Sequence, residues 1–355
     1  MKILLMSRYS RLGASSRLRS YQYLPWLKEH GIHVDVSYLF NDQYLRDLYI
    51  SDKKSIANVC RSYFKRLIAL FKVNQYDLIW IEYELFPWLP ASIESMLSKL
   101  GIPFIVDYDD AIFYRYQFSS NRFARLLLRK KIDRIMRKSK AVLAGNRHIL
   151  KYAYQAGAKR VELIPTVVDL DRYDVDSFDG YPKNGFIIGW IGSPKTSHYL
   201  RIIEKALSFL SSKINFSLVL IGSGPFRLKN VKTTCLNWSE NTEIDLINTF
   251  DVGIMPLYDS FWEQGKCGYK IIQYMACAKP AIASPVGANS EIIQNGMNGF
   301  LATSSKEWID AVLELHASRK TRERIGNAGR QTVEDRYSLS TMSPKVYSIL
   351  ESLLA

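Results

Sequence analysis

The sequence DSFWEQGKCGYKIIQYMACAKPAIASPVGANSEIIQNGMNGF, residues 259–300, decides how the rest of the chain is interpreted. It opens on a Gly-Lys-Cys-Gly loop, residues 265–268, that has neither helical nor strand periodicity. The apolar residues at positions 271, 272, 275 and 276 then have helical spacing, and Pro280 cannot continue that helix. Residues 281–283 are predicted to form a short buried strand. The stretch therefore predicts a loop, a helix and a strand of an α/β fold.

The loop before this helix is a candidate binding site for an anion. A helix that begins at a glycine-containing loop directs its N–H groups and the positive end of its dipole toward whatever lies before it. Lys266 and Lys270 add two positive charges at the same end, which indicates a phosphorylated ligand. The alternative is an ordinary buried helix with two solvated lysines, and spacing alone does not separate the two interpretations.

The same stretch resembles the donor-binding region of family 4 glycosyltransferases, which are retaining enzymes of the GT-B fold that use nucleotide sugars. Their pattern is Glu, seven residues, Glu, followed by Ala-Met-Ala-x-Gly-x-Pro-Val. When YMACAKPA, residues 274–281, is aligned with that pattern, the two glutamates fall on Gly265 and Gln273. The stretch is instead similar to a subgroup that reads Gly-Lys-Cys-x-x-Lys before Gln-Tyr-Met-Ala. The resemblance thus implies the family's site without the roles of its glutamates.

Length and composition indicate a globular protein with two domains of ordinary size. The 355 residues are 47% hydrophobic and 23% charged, as in soluble proteins. Residues 1–6 predict a first strand and not a signal peptide, because the apolar run is short, and no stretch approaches the roughly 20 apolar residues of a membrane span. The four cysteines lack metal-ligand or redox spacing, which fits a reducing cytoplasm. The net charge of +14 indicates anionic partners: nucleotides, nucleic acid or an anionic membrane face.

The alternation of strands and helices predicts two doubly wound, Rossmann-like α/β domains with parallel sheets. Residues 1–178 are predicted to form an acceptor-side domain, and residues 179–339 a nucleotide-sugar-binding domain. The acidic, aperiodic residues 169–184 are interpreted as the linker. The resemblance to the GT-B fold implies that the domains face each other across a cleft and that a C-terminal helix, residues 340–355, crosses back to the first.

In the first domain, candidate residues follow two predicted strands. Gly13 lies in the loop after the first strand, where open α/β sheets hold ligands; an ordinary turn is the alternative. A strand at residues 102–106 ends in Asp107-Tyr108-Asp109-Asp110, and the resemblance implies that this strand end faces the sugar and acceptor, so that Asp109 or Asp110 orients the acceptor. Capping of a helix by Asp110 is the alternative. Asp107 and Asp109 also resemble the metal-binding Asp-x-Asp of the other glycosyltransferase fold, but the downstream lysines favour neutralisation of phosphate without metal.

In the second domain, a strand at residues 186–192 leads into a second candidate for phosphate binding, with Ser193 and Lys195 at the start of the next helix. Trp238 either stacks on the nucleotide base or is a half-buried core residue. The catalytic candidates of the whole chain are Lys270, Lys266 and Asp109, and no metal ligand is assigned. The candidate donor-binding residues are Gly13, Gly192, Ser193, Lys195, Trp238, Gly265, Cys267, Gly268, Tyr269 and Gln273.

Residues 122–140 are predicted to form one basic amphipathic helix, in which nine Lys and Arg residues accompany a single acid, Asp133. A solvated helix with its apolar face in the core explains the pattern. A basic face against an anionic membrane explains the excess of charge as well, and both can hold for one helix.

These observations predict a retaining glycosyltransferase of the hexosyltransferase type (EC 2.4) that moves a sugar from a nucleotide diphosphate sugar to an acceptor hydroxyl, without metal or other cofactor. The resemblance implies bacterial cell-surface polysaccharide biosynthesis with a glycan or lipid-linked acceptor. We expect a cytoplasmic protein, peripheral on the inner face of the membrane, with no nucleic-acid partner. The alternatives are a non-catalytic binder of nucleic acid or other polyanions, and a nucleotide-sugar epimerase of the same fold.

Overall fold

The computed structural model describes residues 1–51, 56–173 and 185–353. The predicted boundary between residues 178 and 179 and most of the predicted linker lie outside the described residues, so the limits of the two domains stay a prediction. None of the described helices combines the length and the apolar character that crossing a bilayer requires.

The chain divides into two compact units. Unit 1 consists of Met1–Thr166, Gln264–Cys267 and Met342–Ala355. Unit 2 consists of Val167–Glu263 and Gly268–Thr341. The start of the stretch that opens with Asp259 is therefore shared between the units, because its Gly-Lys-Cys loop is grouped with unit 1 and the following helix with unit 2.

The strands are all short, and each described unit contains six of them. They are β1 (Lys2–Met6), β2 (His33–Val36), β3 (Leu78–Glu82), β4 (Phe104–Tyr108), β5 (Ala141–Ala144), β6 (Val161–Leu163), β7 (Phe186–Ile191), β8 (Phe216–Ile221), β9 (Thr233–Leu236), β10 (Val252–Met255), β11 (Ala281–Ala283) and β12 (Phe300–Leu301).

Helices connect successive strands. The α-helices are α1 (Ala14–Arg19), α2 (Leu24–Glu29), α3 (Asp42–Ser51), α4 (Ile56–Leu70), α5 (Ser92–Lys99), α6 (Phe113–Gln117), α7 (Arg122–Leu128), α8 (Lys131–Lys138), α9 (Arg147–Gln155), α10 (Glu204–Leu210), α11 (Glu243–Asn248), α12 (Phe261–Gln264), α13 (Tyr269–Ala276), α14 (Asn289–Ile292), α15 (Ser305–Ala317), α16 (Arg319–Arg336) and α17 (Leu339–Ser352). Four short 3-10 helices cover Tyr21–Tyr23, Val73–Gln75, Leu170–Arg172 and Ser197–Ile203.

The sheet of unit 1 is parallel throughout, with the strand order β2-β1-β3-β4-β5-β6. Strands β3, β4 and β5 are buried along their whole length, as expected where helices cover both faces of a parallel sheet. The order reverses direction between β1 and β3. In open α/β sheets the carboxyl ends of the strands at such a reversal form the usual binding crevice.

The sheet of unit 2 is also parallel, with the order β12-β11-β10-β7-β8-β9. This is the doubly wound order of dinucleotide-binding folds, and its direction reverses between β7 and β10. Apolar clusters cover both faces of the sheet, one around α13 and the other around α10 and α15. The predicted fold class, α/β with two doubly wound parallel sheets, is confirmed.

Strand β4 extends two residues beyond its predicted end at residue 106. It includes Asp107 and Tyr108, because the carboxylate of Asp107 forms a buried ion pair with Arg19, in which the Nη2–Oδ1 distance is 2.7 Å. A charged partner allows an acid to occupy a fully buried strand. The sequence pattern alone placed this acid beyond the strand.

The prediction of one continuous basic helix over residues 122–140 is wrong. Two helices, α7 and α8, replace it, with a break at Arg129 and Lys130. The side chain of Lys131 turns inward, where its Nζ lies 2.5 Å from a carboxylate oxygen of the buried Glu84. The apolar side of α8 is in the core, whereas α7 exposes Phe123, Leu126 and Leu127 and buries only Leu128 among its large apolar residues.

Candidate functional site

The carboxyl edge of the first sheet carries Asp109, one of the predicted catalytic residues. Its Oδ2 accepts a hydrogen bond from Ser15 Oγ at 2.7 Å, and its Oδ1 accepts one from the hydroxyl of Tyr83. Tyr83 follows β3 directly and has a φ of 61°, which is a left-handed conformation that few non-glycine residues adopt. Ser15, in α1, and Tyr83 therefore fix the carboxylate from two sides, and neither residue was predicted from the sequence.

Asp107 is engaged elsewhere. Its Oδ1 accepts hydrogen bonds from Nε and Nη2 of Arg19 at 2.9 and 2.7 Å, and Arg19 also donates to the carbonyl of Ile164 at 2.6 Å. Asp107 and Asp109 thus have different partners, Arg19 for Asp107 and Ser15 with Tyr83 for Asp109. This arrangement favours a structural role for Asp107 over a metal-binding pair with Asp109.

Glu82 ends β3 and is 2% exposed. Its Oε2 accepts hydrogen bonds from the backbone N–H of Arg8 at 2.9 Å and from Ser16 Oγ at 2.5 Å. Burial raises the pKa of Glu82 to about 7, although the hydrogen bonds from Ser16 and Arg8 oppose the rise. Glu82 is therefore a titratable group at the same edge as Asp109, and the sequence offered no sign of its shifted pKa.

Asn146 connects the start of α9 to the Gly-Lys-Cys loop. Its Oδ1 accepts from the backbone N–H of Ile149 at 2.8 Å and caps the helix, while its Nδ2 donates to the carbonyl of Gly265 at 2.7 Å and to that of Lys266 at 3.2 Å. Asn146 was not among the site residues predicted from the sequence. In the structure it holds the loop by its backbone.

Cys267 anchors the same loop on the end of β4. Its Sγ donates to the carbonyl of Asp109 at 3.0 Å. A Cβ on Gly145 would lie 2.5 Å from that sulfur, so only glycine leaves room for the contact. Burial raises the pKa of the Cys267 thiol, which therefore stays protonated and serves as a small packing group.

The loop also brings Lys266 to the acidic strand end. Its Nζ lies 3.9 Å from Oδ1 of Asp110. The residue that caps α6 is Ile112, so the alternative role of Asp110 as a helix cap is not observed. Unit 1 therefore brings the loop residues Lys266 and Cys267 close to Asp109 and Asp110, although the two pairs are more than 150 positions apart in the sequence.

Gly13 caps α1, at the end of the loop after β1. A Cβ at this position would lie 2.3 Å from the Cβ of Tyr9, so the loop folds tightly upon itself. The close contact explains why this position requires glycine, and the role of Gly13 in donor binding stays a prediction.

At the carboxyl edge of the second sheet, Lys270 lies beside Gly192. A Cβ on Gly192 would approach Cε of Lys270 to 3.0 Å, and Nζ of Lys270 lies 5.5 Å from the centroid of the Trp190 ring. Gly192 follows β7, one of the two strands at the reversal of the sheet. Two predicted site residues 78 positions apart are thus neighbours at the place where doubly wound sheets bind ligands.

Helix α13 begins at Gly268, which has a φ of 67°. A side chain there would be strained and its Cβ would lie 2.5 Å from Cδ1 of Ile292, so this turn requires glycine. Tyr269 and Lys270 then form the first turn of the helix, and both are half-buried. The loop, the helix start and the cation have the order that the sequence predicted.

Gln273 lies one turn further along α13 and is 3% exposed. Its Nε2 is 3.5 Å from the hydroxyl of Tyr173, which is also buried. In this structure the amide therefore has a protein partner, and its predicted hydrogen bond to the donor stays a prediction.

Three further candidates surround Gly192. Ser193 lies in a turn, where its backbone N–H donates a hydrogen bond to Thr196 Oγ1 at 3.2 Å. Lys195, in the same turn, is exposed. Trp238 is half-buried, and its indole N–H donates to Glu243 at 2.8 Å. A Cβ on Gly222, the residue after β8, would lie 3.1 Å from the Cβ of Trp238. Trp238 therefore lies at the carboxyl edge of the second sheet.

Comparison with known proteins supports a relationship over the second half of the chain. Residues 185–318 match the family model described as glycosyl transferases group 1. A segment of 80 residues is 29% identical to the spore coat protein SA of Bacillus subtilis and covers 22% of this chain and 21% of that protein. The matched segment thus spans about a fifth of the length of this curated relative.

Solved structures extend the likeness to the whole fold. Sucrose-phosphate synthase of Thermosynechococcus elongatus has a TM-score of 0.73 at 17% identity, covering 99% of both chains. The Anabaena protein HepE in complex with UDP has a TM-score of 0.69 at 17% identity, covering 99% of this chain and 100% of its own. At such identities these likenesses establish the fold. The family model thus matches residues 185–318, and the solved structures show that the whole chain has their two-unit α/β fold.

Proposed function

We propose that the protein is a glycosyltransferase that moves a sugar from a nucleotide diphosphate sugar to an acceptor hydroxyl. The observation that carries the proposal is the placement of Lys270 beside Gly192, at the strand reversal of a unit that matches the family model. A cation and a residue without a side chain at that position suit a diphosphate, which needs both charge and close approach to the backbone.

The chemistry of the transfer explains why a lysine is needed there. The bond between the anomeric carbon and the diphosphate oxygen breaks, a bond to the acceptor oxygen forms, and the diphosphate leaves with additional negative charge. Lys270 and the positive end of the α13 dipole would stabilise that charge as it develops. We infer that no divalent metal is required, because Asp107 of the Asp-x-Asp sequence is already paired with Arg19.

Asp109 is the proposed acceptor-orienting residue. Its carboxylate is fixed by Ser15 and Tyr83, so it can hold an acceptor hydroxyl in one direction without first being ordered. Asn146 donates hydrogen bonds to the carbonyls of Gly265 and Lys266, and these bonds keep Lys266 next to this edge of the first sheet. We propose that Lys266 acts on the ligand as a second cation.

The finer assignment rests on the resemblance of the Gly-Lys-Cys-x-x-Lys stretch to its subgroup. We propose transfer of a hexose with retention of anomeric configuration, in the biosynthesis of a bacterial cell-surface polysaccharide. The acceptor would be a glycan or a lipid-linked sugar, and the protein would act in the cytoplasm at the inner face of the membrane. HepE, one of the solved structures of similar fold, binds UDP, so uridine nucleotides are the first donors to examine.

A donor screen tests the proposal. The purified protein is screened by thermal shift against UDP-, GDP-, ADP-, CDP- and dTDP-sugars, and each stabilising sugar is then assayed for turnover with a polyprenyl diphosphate-linked acceptor. We expect one nucleotide class to raise Tm and to release nucleoside diphosphate only when acceptor is present. NMR of the product gives the anomeric configuration, and an inverted product would contradict retention.

Three outcomes would replace the proposal. Conversion of the donor to an isomeric nucleotide sugar without acceptor would assign an epimerase. Salt-sensitive binding of nucleic acid without turnover of any nucleotide sugar would assign a polyanion-binding protein. Loss of transfer in excess EDTA, with recovery in manganese, would contradict the metal-free mechanism and would move the diphosphate to Asp107 and Asp109.

A further inference from the structure

Helix α7 turns its apolar side chains to solvent. Phe123 is 85% exposed, Leu126 80% and Leu127 65%, and Phe118, just before the helix, is 64% exposed. Single exposed apolar residues are common on protein surfaces, but four large ones within ten residues form a patch of the kind that marks an interaction site.

This exposure belongs to an ordered element. Asn121 caps α7, and its Oδ1 accepts from the backbone N–H groups of Phe123 at 3.0 Å and Ala124 at 3.1 Å. Leu128 anchors the other end of the helix in the core. The orientation of α7 is thus set by a cap and an anchor, and its apolar residues face outward as a consequence.

Helix α8, in the same basic segment, has the opposite orientation. Its apolar residues Ile132, Ile135 and Met136 are buried, and its Lys131 forms an ion pair with the buried Glu84. The membrane interaction predicted for residues 122–140 as a whole therefore rests on α7 and the residues next to it.

The charge around α7 is of one sign. Residues 111–132 contain no Asp or Glu, and among their basic residues Arg122, Arg125, Arg129 and Lys130 flank the apolar patch. An apolar patch inside a basic rim is complementary to an anionic bilayer, where the apolar groups enter the acyl boundary and the cations contact the headgroups.

The topology places this patch near the candidate acceptor site. Helices α6 and α7 follow the carboxyl end of β4, the strand end that carries Asp109. A second partly exposed apolar pair, Trp88 and Leu89, comes after the carboxyl end of β3, and the Trp88 ring packs edge-on against Tyr116 of α6 at 5.3 Å. The apolar surface and Asp109 thus belong to the same edge of the first sheet.

We propose that this membrane-docking face, made of Phe118, Phe123, Leu126 and Leu127 with Arg122, Arg125, Arg129 and Lys130, inserts into the headgroup region of an anionic bilayer. The docking presents a lipid-linked acceptor sugar to the Asp109 edge, and this last point rests on the proposed function. Both charge and insertion contribute, so the binding is stronger than the basic residues alone would give.

Vesicle co-sedimentation of the full chain tests the docking. The wild-type protein is expected to bind vesicles of phosphatidylcholine with 30% phosphatidylglycerol and not vesicles of phosphatidylcholine alone. Substitution of Arg122, Arg125, Arg129 and Lys130 by Gln should weaken binding about fivefold for each charge removed. The apolar variant F123S/L126S/L127S should lose at least about tenfold, while keeping the salt dependence of the wild type.

Helix α4 provides a matched control, because it also exposes apolar residues beside basic ones: Phe64 and Leu67 of the helix are exposed, as is Phe71 directly after it. The variant F64S/L67S/F71S is expected to bind vesicles within about twofold of wild type. Loss of binding in the α4 variant but not in the α7 variant would overturn the proposal. Equal binding of wild type to neutral and anionic vesicles, or binding to neither, would overturn it as well. Unchanged Tm of each variant shows that the fold is kept.

Transfer to a water-soluble acceptor separates this proposal from the proposed function. The α7 variant should keep that activity and lose transfer to an acceptor embedded in anionic vesicles. If the wild type binds vesicles through α7 but transfers no sugar, the proposed function fails and the docking face stands. If the α7 variant loses both activities equally with unchanged Tm, the docking face is wrong, because α7 would then contribute to the site itself.

Discussion

The carboxyl edges of the two sheets differ in the sign of their charge and in how their polar groups are engaged. In unit 1 the edge carries the carboxylates Glu82, Asp107 and Asp109, and each is held by hydrogen bonds or an ion pair from within the unit. In unit 2 the edge carries glycine at position 192 and the cation of Lys270 beside it. Both sheets are parallel and doubly wound, so the difference comes from the residues at and just after the strand ends and not from the architecture.

The difference favours a separate role for each edge, one in orienting the acceptor and the other in binding the donor. Fixed carboxylates suit the orientation of a hydroxyl group, since a preorganised acceptor of hydrogen bonds needs no further ordering when the substrate binds. A cation beside a glycine suits a diphosphate, which carries charge and requires close approach to the backbone. Unit 1 is accordingly the side proposed for the acceptor, and unit 2 the side proposed for the donor.

The largest effect is expected at Lys270. A charge-assisted hydrogen bond is worth roughly 1.5–3 kcal/mol, so Lys270→Ala should lower kcat/KM about 10- to 100-fold if the lysine acts in the transition state. Steady-state kinetics with the identified donor measure the effect. Lys205→Ala, an exposed lysine of α10 in the same unit, is the matched control and should leave kcat/KM unchanged. A wild-type rate in Lys270→Ala would remove the cation from the donor side.

Glu82→Gln tests the electrostatic character of the first edge. Because the pKa of Glu82 is raised to about 7 from its ordinary value near 4.5, the folded state binds its proton more tightly than the unfolded state. The contribution of Glu82 to stability is therefore fully present below about pH 4.5 and is lost as the pH rises to about 7. Glu82→Gln, which stays neutral, should be more stable than wild type by roughly 1–3 kcal/mol at pH 8, with little of that gain at pH 5.

Denaturant unfolding at both pH values measures this difference. The exposed Glu314 provides the control, because Glu314→Gln removes the same charge from a solvated position and should change stability by less than about 0.5 kcal/mol at either pH. A gain for Glu82→Gln that is the same at pH 5 and pH 8 would contradict a raised pKa.

Asn146 separates the support of the loop from the support of α9. Asn146→Ala removes the helix cap together with the hydrogen bonds to the loop carbonyls, and should lower stability by about 1–2 kcal/mol. Asn146→Ser restores a good cap, but its side chain is too short to hold the loop. We expect it to recover most of the stability and to keep a donor KM raised about fivefold. If Asn146→Ser restores both properties, the loop does not depend on Asn146.

The smallest effect is expected at Gln273. Gln273→Ala should raise the donor KM severalfold, in line with the loss of one neutral hydrogen bond of about 1 kcal/mol. Because the residue is buried, Tm should fall modestly as well. Tyr173→Phe removes the protein partner of Gln273 and leaves its amide in place, so it should leave the donor KM unchanged. Equal kinetics for Gln273→Ala and wild type would exclude Gln273 from donor binding.

The sequence carried enough information to predict the helix and strands around the candidate donor loop. Helical spacing after a glycine loop located α13, and the apolar runs located the strands, because these patterns are local consequences of burial on one face. The sequence predicted Gly192 and Lys270 as members of two separate phosphate-binding candidates, and the structure shows that they are neighbours. The match of residues 185–318 to a family model includes residues 259–300, the stretch on which the resemblance was based.

What the sequence determined by itself was therefore the alternation of elements, the fold class and the glycines and lysines of the predicted donor loop. Tertiary structure decided the rest. The basic segment forms two helices, and packing in the folded chain exposes Phe123, Leu126 and Leu127 of α7 but buries Lys131 and the apolar side of α8. Likewise, the pKa of Glu82 and the hydrogen bonds from Asn146 to the Gly-Lys-Cys loop depend on groups between 66 and 120 positions away in the sequence. Burial and hydrogen-bond partners are properties of the folded chain, and for this reason no local pattern of residues contains them.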